Sequence, residues 1–388
     1  MPTLRLPTAD GRLEPFTTAA PCGYPQQATG PLGRVAFAAA HVVADPLSPV
    51  DPWVGCALDW DATIAHRSRL WQLGLGVAEA MDTAQRGSGL DWPTSLELIG
   101  RSIDAARDHP GALLVCGCGT DHLEPDGRTT VADVIGAYEQ QAEAIESLGG
   151  RLVLMASRAL AGCARSPDQY ALVYDRLLAQ VREPVVIHWL GEMFDPALAG
   201  YWGCADPDDA METVLAVIAR HADKVDGVKV SLLDREREVA MRRRLPPGVR
   251  MYTGDDFAFA GLIAGDAQGH SDALLGIFDA IAPAASAALA ALARGDADRY
   301  HRILEPTVPL ARHVFGAPTR FYKTGLVFLA WLDGLQDHFV MVGGQQSARS
   351  LLHLAQLFRL ADGAGLLRDP DLACARMRAL LATHGVKG

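Results

Sequence analysis

Lysine is nearly missing from this chain: Lys224, Lys229, Lys323 and Lys387 stand against thirty-one arginines in 388 residues. Where charge alone is wanted, this protein uses arginine, so each lysine invites a reason. Long apolar runs are absent too. No stretch of about 18 uninterrupted apolar residues occurs, and a membrane span is not expected. A basic surplus is lacking; the net charge of −11 argues against nucleic acid or an acidic membrane surface as the main partner. The opening Met-Pro-Thr-Leu-Arg-Leu has no basic segment followed by an apolar one, so no signal peptide is expected. Cysteines number seven, odd and scattered, which fits reduced thiols in a cytoplasm. Cys116-Gly-Cys118 is too tight for a zinc knuckle and reads as packing. No Gly-rich dinucleotide fingerprint follows an early strand, which counts against a doubly wound sheet.

What is present is a rhythm. Short apolar runs occur at 34–40, 73–79, 112–118, 151–156, 184–189, 226–231 and 249–253, with a less clear eighth at 266–272. Helical patterns at 93–108, 130–149, 166–181, 206–223 and 233–244 separate them. Eight strands alternating with helices predict an α/β fold, a (β/α)8 TIM barrel, over residues 31–283. Residues 1–30 read as an extension with a possible hairpin. Residues 284–388 read as a helical C-terminal extension, with helices near 285–295, 297–314, 319–337, 346–361 and 369–384. Hydrophobic content of 49% supplies an ample core for a chain of this length.

Lys229 is the informative lysine. It lies in Val-Asp-Gly-Val-Lys-Val-Ser (225–231), an apolar, β-branched run that reads as a buried strand. Burial disfavours an ammonium and lowers its pKa, and the neutral amine can attack a carbonyl to form a Schiff base. The alternative is a lysine paired with a carboxylate inside the barrel. TIM-barrel sites are built at the C-terminal ends of strands. Polar groups stand there along the predicted strands: His41; Glu79, Asp82, Thr83 and Arg86; Thr120, Asp121 and His122; Ser157 and Arg158; His188 and Glu192; Lys229 and Ser231; Asp255 and Asp256; His270 and Ser271. Asp82, Thr120 and Asp255 are equally plausible as helix caps.

The ordered set resembles the dihydrodipicolinate synthase / N-acetylneuraminate lyase superfamily of Schiff-base aldolases. Val-Asp-Gly-Val-Lys229-Val-Ser is similar to that family's Gly-Ile-Lys strand, whose lysine forms the imine. Met-Tyr-Thr-Gly254-Asp255-Asp256 resembles its Ser-Gly-Asp-Asp turn after strand seven. Ala-Pro-Thr-Arg320-Phe-Tyr-Lys323-Thr-Gly-Leu resembles the Asn-Pro-Ile-Pro-Val-Lys segment opening a C-terminal helix. The resemblance spans roughly residues 34–340. It implies a class I carbon–carbon or carbon–oxygen lyase acting on a small molecule, without cofactor.

Two departures qualify it. The family's Gly-Thr-Thr-Gly-Glu turn, which grips a 2-oxo-acid carboxylate, corresponds here to Ala78-Glu79-Ala-Met-Asp82-Thr83-Ala-Gln85-Arg86. Only Thr83 keeps the hydroxyl, and two carboxylates have moved in. Like charges at 4 Å oppose each other by about 4 kcal/mol at an effective dielectric near 20. The turn therefore favours a polyhydroxylated keto-sugar, or a bound cation between the carboxylates and the substrate, with Arg86 as the counter-argument for an anion. At strand five the family places a proton-relaying tyrosine, and His188 takes that position, where it can also relay a proton. Gly200-Tyr201-Trp202-Gly203 follows, and its aromatics would stack on a sugar, close over the site or pack.

Two readings result. In the first, Lys229 forms the imine and His188 shuttles a proton. Thr83 and Arg86 hold the polar head of an oxo-acid or keto-sugar, and Glu79, Asp82, Asp255, Asp256 and His270 bind its hydroxyls. In the second, a divalent-metal-dependent sugar isomerase, epimerase or aldolase holds its ion on Glu79, His122, His188 and His270, with Asp82 and Asp256 also directed at the cavity. A cytoplasmic homo-oligomer in carbohydrate metabolism is expected in either case.

Overall fold

The computed structural model describes residues 1–387. Strands β1 (Thr3–Pro7) and β2 (Leu13–Thr17) form the antiparallel hairpin anticipated at the N-terminus. Eight parallel strands then close a barrel: β3 (Ala36–Ala39), β4 (Gly76–Glu79), β5 (Leu114–Cys118), β6 (Leu152–Leu154), β7 (Val185–Leu190), β8 (Val225–Ser231), β9 (Arg250–Thr253) and β10 (Asp272–Leu275), with β10 pairing back onto β3. Side chains alternate between the barrel interior and the helical shell. Phe37, Ala39, Ala78, Val115, Val153, Val186, Tyr252 and Leu274 fill the inside. Cys116 and Cys118 face the shell as free, buried thiols.

Helices at Trp92–Ala106, Val131–Ser147, Pro167–Leu178, Pro207–Arg220 and Arg235–Arg242 follow the predicted pattern. A further helix, Trp60–Gln72, was not foreseen; its polar run of Asp, His and three residues of Arg and Ser hides the apolar face, while Asp59 caps its start by accepting from the Ala62 amide at 2.9 Å. The eighth strand also differs. Residues 266–272 are a turn closed around Gly269 and the entry to β10, so the strand starts where it was expected to end. Ala282–Ala293 packs back on the barrel, Ser286 donating to the Leu73 carbonyl at 2.6 Å, and completes the eighth βα unit.

The helices beyond it are Ala297–Leu304, Val308–Val314, Tyr322–Leu332, Leu351–Gly363 and Pro370–Thr383. Pro306 divides what the pattern reads as one helix over 297–314. The N-terminal hairpin docks on the last two helices, with Phe16 edge-on to Phe358 at 6.1 Å and the Asp362 carboxylate accepting from the Ala19 amide at 3.0 Å. Among the described residues, no helix is long and apolar enough to cross a membrane.

Candidate active site

Lys229 and His188 are neighbours across the β7–β8 pairing, both facing inward between outward Ile187, Val228 and Val230. Lys229 is buried, and among the described residues its ammonium has neither a hydrogen bond nor a carboxylate within 4.0 Å. Burial pushes its pKa down, opposed by the charges of Asp82 and then Asp256. Gly254 explains the Gly-Asp-Asp turn after β9: a Cβ there would stand 2.9 Å from the Lys229 Cε. His188 is fully buried. Its Nε2 lies 3.2 Å from the Ser231 hydroxyl, and its Nδ1 has no partner. Burial, and next the Lys229 charge, hold it well below the ordinary histidine range, so it is a neutral imidazole.

The space around these groups is a branched cavity at the C-terminal mouth of the barrel. One branch, about 170 Å³, runs past Asp82, Thr120, Ser157, Arg158 and His188. A second, about 110 Å³, lies between Asp82, Arg158, Arg320 and Lys323. At Lys229 it narrows to about 10 Å³ between Leu190, Phe194 and Phe315, room for about one water. All three branches share Asp82 and Leu190. The Asp82 carboxylate accepts no hydrogen bond from the described residues and faces this space. Asp256 lies beside Lys229, its carboxylate accepting from the Ile277 amide at 3.0 Å; burial raises its pKa to about 7, with Lys229 opposing.

Thr83 does not stand alone. Its hydroxyl is 2.8 Å from the Tyr322 hydroxyl, and Tyr322 stacks on Phe315 with ring centroids 4.4 Å apart. Tyr322 was missed by sequence reasoning, although Arg320-Phe-Tyr-Lys323 had marked its segment. Burial, with Asp82 next, keeps its phenol protonated.

Other expected ligands are elsewhere. Glu79 follows inward Ala78 and therefore points out of the barrel. There it takes a bidentate pair from Arg67 at 2.9 Å, with Ser102 at 2.5 Å and the Ala80 amide at 2.8 Å completing its partners. Arg86 reaches the cavity wall but spends all five of its donors on Asp121, Gln141 and the Ala80 and Gly117 carbonyls. No donor remains for an anion. Asp255 caps the turn after β9, accepting from the Phe257 and Ala258 amides at 2.8 and 3.0 Å, as the capping alternative required. His122 hydrogen-bonds Gln141 and Gln140 outside the cavity. His270 precedes β10 and so lies at the opposite, N-terminal end of the barrel, because the eighth strand starts later than expected. Tyr201 and Trp202 are packing: Tyr201 accepts from the Ser157 amide at 3.0 Å, and the Trp202 ring lies tilted against Tyr174 with centroids 4.4 Å apart.

The metal quartet of Glu79, His122, His188 and His270 therefore does not converge. Among the described residues one trio does, His41, His66 and Asp279, with donor atoms within 4.8 Å of one another. It is a closed hydrogen-bonded set. Asp279 meets each imidazole at 2.6 Å, His41 turns its other nitrogen to Gln336 at 3.1 Å, and none of the three lines the cavity.

This eight-stranded barrel, with a lysine on its sixth strand facing the mouth, invites comparison with known proteins. The family described as "Protein of unknown function (DUF993)" matches residues 4–386. The chain belongs to that family. No curated protein matches it. Solved structures do. Dihydrodipicolinate synthase from Aquifex aeolicus is 10% identical with a TM-score of 0.61, covering 91% of this chain and 99% of its own. Its counterpart from Oceanobacillus iheyensis is 14% identical with a TM-score of 0.61, covering 85% and 98%. The 4-hydroxy-tetrahydrodipicolinate synthase of Methylacidiphilum fumariolicum SolV is 12% identical with a TM-score of 0.63, covering 89% and 99%. At such identities these are likenesses of fold. The barrel and the helical C-terminal region are those that the sequence motifs implied.

Proposed function

We propose that this protein is a Schiff-base-forming lyase, an aldolase or dehydratase acting on a small oxo compound. One observation carries the reading: the Lys229 amine is buried on the inner wall, faces the cavity and is bound to no other described group. An unperturbed lysine leaves roughly one amine in 2,500 neutral at pH 7, so a lowered pKa is the first requirement of the chemistry. Asp256, tuned near neutrality, takes the ammonium proton. The amine then attacks the substrate carbonyl carbon, and the C=O electron pair moves to oxygen. Loss of water from the carbinolamine gives a protonated imine. In the aldolase case the hydroxyl of the departing carbon loses its proton to a base, the C–C bond delivers its electron pair into the imine, and the resulting enamine is protonated on carbon. In the dehydratase case a base removes the proton from the carbon next to the imine carbon, and the enamine so formed expels the neighbouring hydroxyl, which leaves as water on protonation. Hydrolysis of the imine then releases Lys229.

Of the hydrogen-bonded Tyr322 and Thr83 hydroxyls, the one that does not donate to the other donates to the departing oxygen, and His188 serves as a neutral hydrogen-bonding partner beside it. The protonated imine is the electron sink, so this reading calls for no cofactor. It also calls for Leu190 or Phe194 to yield, because about 10 Å³ does not admit a three-carbon substrate. The preference for an uncharged sugar loses half its basis, since Glu79 is neutralised outside the cavity. The reading keeps a cytoplasmic homo-oligomer as its setting.

Treating the protein with borohydride in the presence of pyruvate, 2-oxobutanoate and dihydroxyacetone, followed by peptide mass mapping, tests this directly. A mass gain on the peptide bearing Lys229 is expected with at least one compound, and none in Lys229→Ala. An adduct confined to another lysine would overturn the assignment.

A further inference from the structure

A second lysine of the four is also buried and also underpaired. Lys323 is 8% exposed, on the helix Tyr322–Leu332. Its ammonium has three protons to donate. Among the described residues it finds one acceptor, the Arg320 carbonyl at 3.4 Å, and no carboxylate within 4.0 Å; its other contact is the face of Tyr322 at 5.3 Å. A buried charge so poorly paired is costly unless something else comes to it. Lys323 lines the 110 Å³ branch of the cavity together with Arg158 and Arg320. Arg158 is held by Asp195, and Arg320 lies over the Phe321 ring at 4.8 Å. The acid facing this branch besides Asp195 is Asp82, which is shared with Lys229. Cations thus exceed carboxylates in this branch, and an ammonium with unspent donors stands at its wall.

We propose that Lys323 receives a terminal oxyanion, carboxylate or phosphate, of an oxo substrate whose carbonyl is bound at Lys229. The proposal rests on the imine reading for the carbonyl end but not for the anion itself. It replaces the expected anion ligand Arg86, whose donors are all committed, with a lysine that donates only to the Arg320 carbonyl among the described residues and keeps two donors unspent. Asp82, which lines both the Lys323 and the Lys229 branches, discourages an anion from lodging against Lys229. A charged hydrogen bond in a shielded site is worth about ten- to hundredfold in affinity.

Two compound pairs isolate the far-end charge: dihydroxyacetone against its phosphate, and 2-oxobutanoate against 2-oxoglutarate. Each is titrated calorimetrically into wild-type protein, Lys323→Gln, Lys323→Arg and Lys229→Ala, and each is also trapped with borohydride on wild type and Lys323→Gln. The charged member of one pair is expected to bind wild type at least about tenfold more tightly, and which pair shows it tells phosphate from carboxylate. That preference should vanish in Lys323→Gln and persist in Lys323→Arg and Lys229→Ala. Lys323→Met, which keeps the packing of the stem, repeats the test if the glutamine variant does not fold. Equal binding within both pairs, no binding of either charged compound, or a preference that survives in Lys323→Gln and Lys323→Met would overturn the proposal. Calorimetric preference without any trapped adduct would overturn the imine reading and uphold the anion site. Adducts formed on Lys229 equally well in wild type and Lys323→Gln would do the reverse.

Discussion

Replacing Glu79 by alanine leaves the Arg67 guanidinium inside the protein with nothing to neutralise it. Both side chains are wholly inaccessible to solvent. The lost carboxylate accepts both arms of Arg67, the Ser102 hydroxyl and the Ala80 amide. Burial by itself would raise the Glu79 pKa; Arg67 outweighs it and holds the group below the usual range, so the pair is ionic. Breaking a buried pair from one side costs about 3–5 kcal/mol. Over 388 residues an unfolding entropy of about 2.1 cal/mol/K per residue gives roughly 0.8 kcal/mol/K, so the melting temperature should fall by about 4–6 °C. Arg67→Met alone should cost a similar amount. Arg67→Met with Glu79→Leu should recover most of it, because a well-packed apolar pair carries no desolvation penalty. Scanning calorimetry reads all three variants, and borohydride trapping at Lys229 should stay unchanged in those that fold. If Glu79→Ala kept its melting temperature but lost adduct formation, Glu79 would be a substrate ligand and the structural assignment would be wrong.

The acid–base groups separate by pH. Asp256, raised to about 7, must be ionised to take the amine's proton, so trapping should accelerate as pH passes about 7 and lose that limb in Asp256→Asn. His188→Asn should slow turnover yet keep the limb, since His188 is neutral throughout that range; a limb lost with His188 instead would reverse the assignment. Glu238, buried and hydrogen-bonded to Ser271 and Thr253, is pushed up to about 8 from an unfolded value near 4.3. Its raised pKa stabilises the fold fully below about pH 4.3 and ceases to do so as pH climbs to about 8, a swing of a few kcal/mol. Glu238→Gln should therefore gain on wild type across that window in urea melts, and a difference independent of pH would contradict it.

The sequence by itself determined the elements whose signals are local. Alternating apolar runs and helical periods give the barrel, turn residues give the hairpin, and Gly254 admits the Lys229 stem where any Cβ would collide. Lys229 was legible because lysine is so scarce here that one on a strand stands out. The site around it was not. A strand of four residues, Gly76–Glu79, offers too few alternations to tell inside from outside, so Glu79 was read into the cavity when it faces Arg67 on a helix that the pattern concealed. Misplacing β10 by a few residues carried His270 to the wrong end of the barrel. Tyr322 and Lys323 meet the strand residues across more than ninety positions of chain, and no local period reports such a meeting. Only closure of the barrel and docking of the C-terminal helices over its mouth decide which polar groups converge. Local sequence sets which way a backbone turns, while convergence depends on side chains brought together by packing far along the chain.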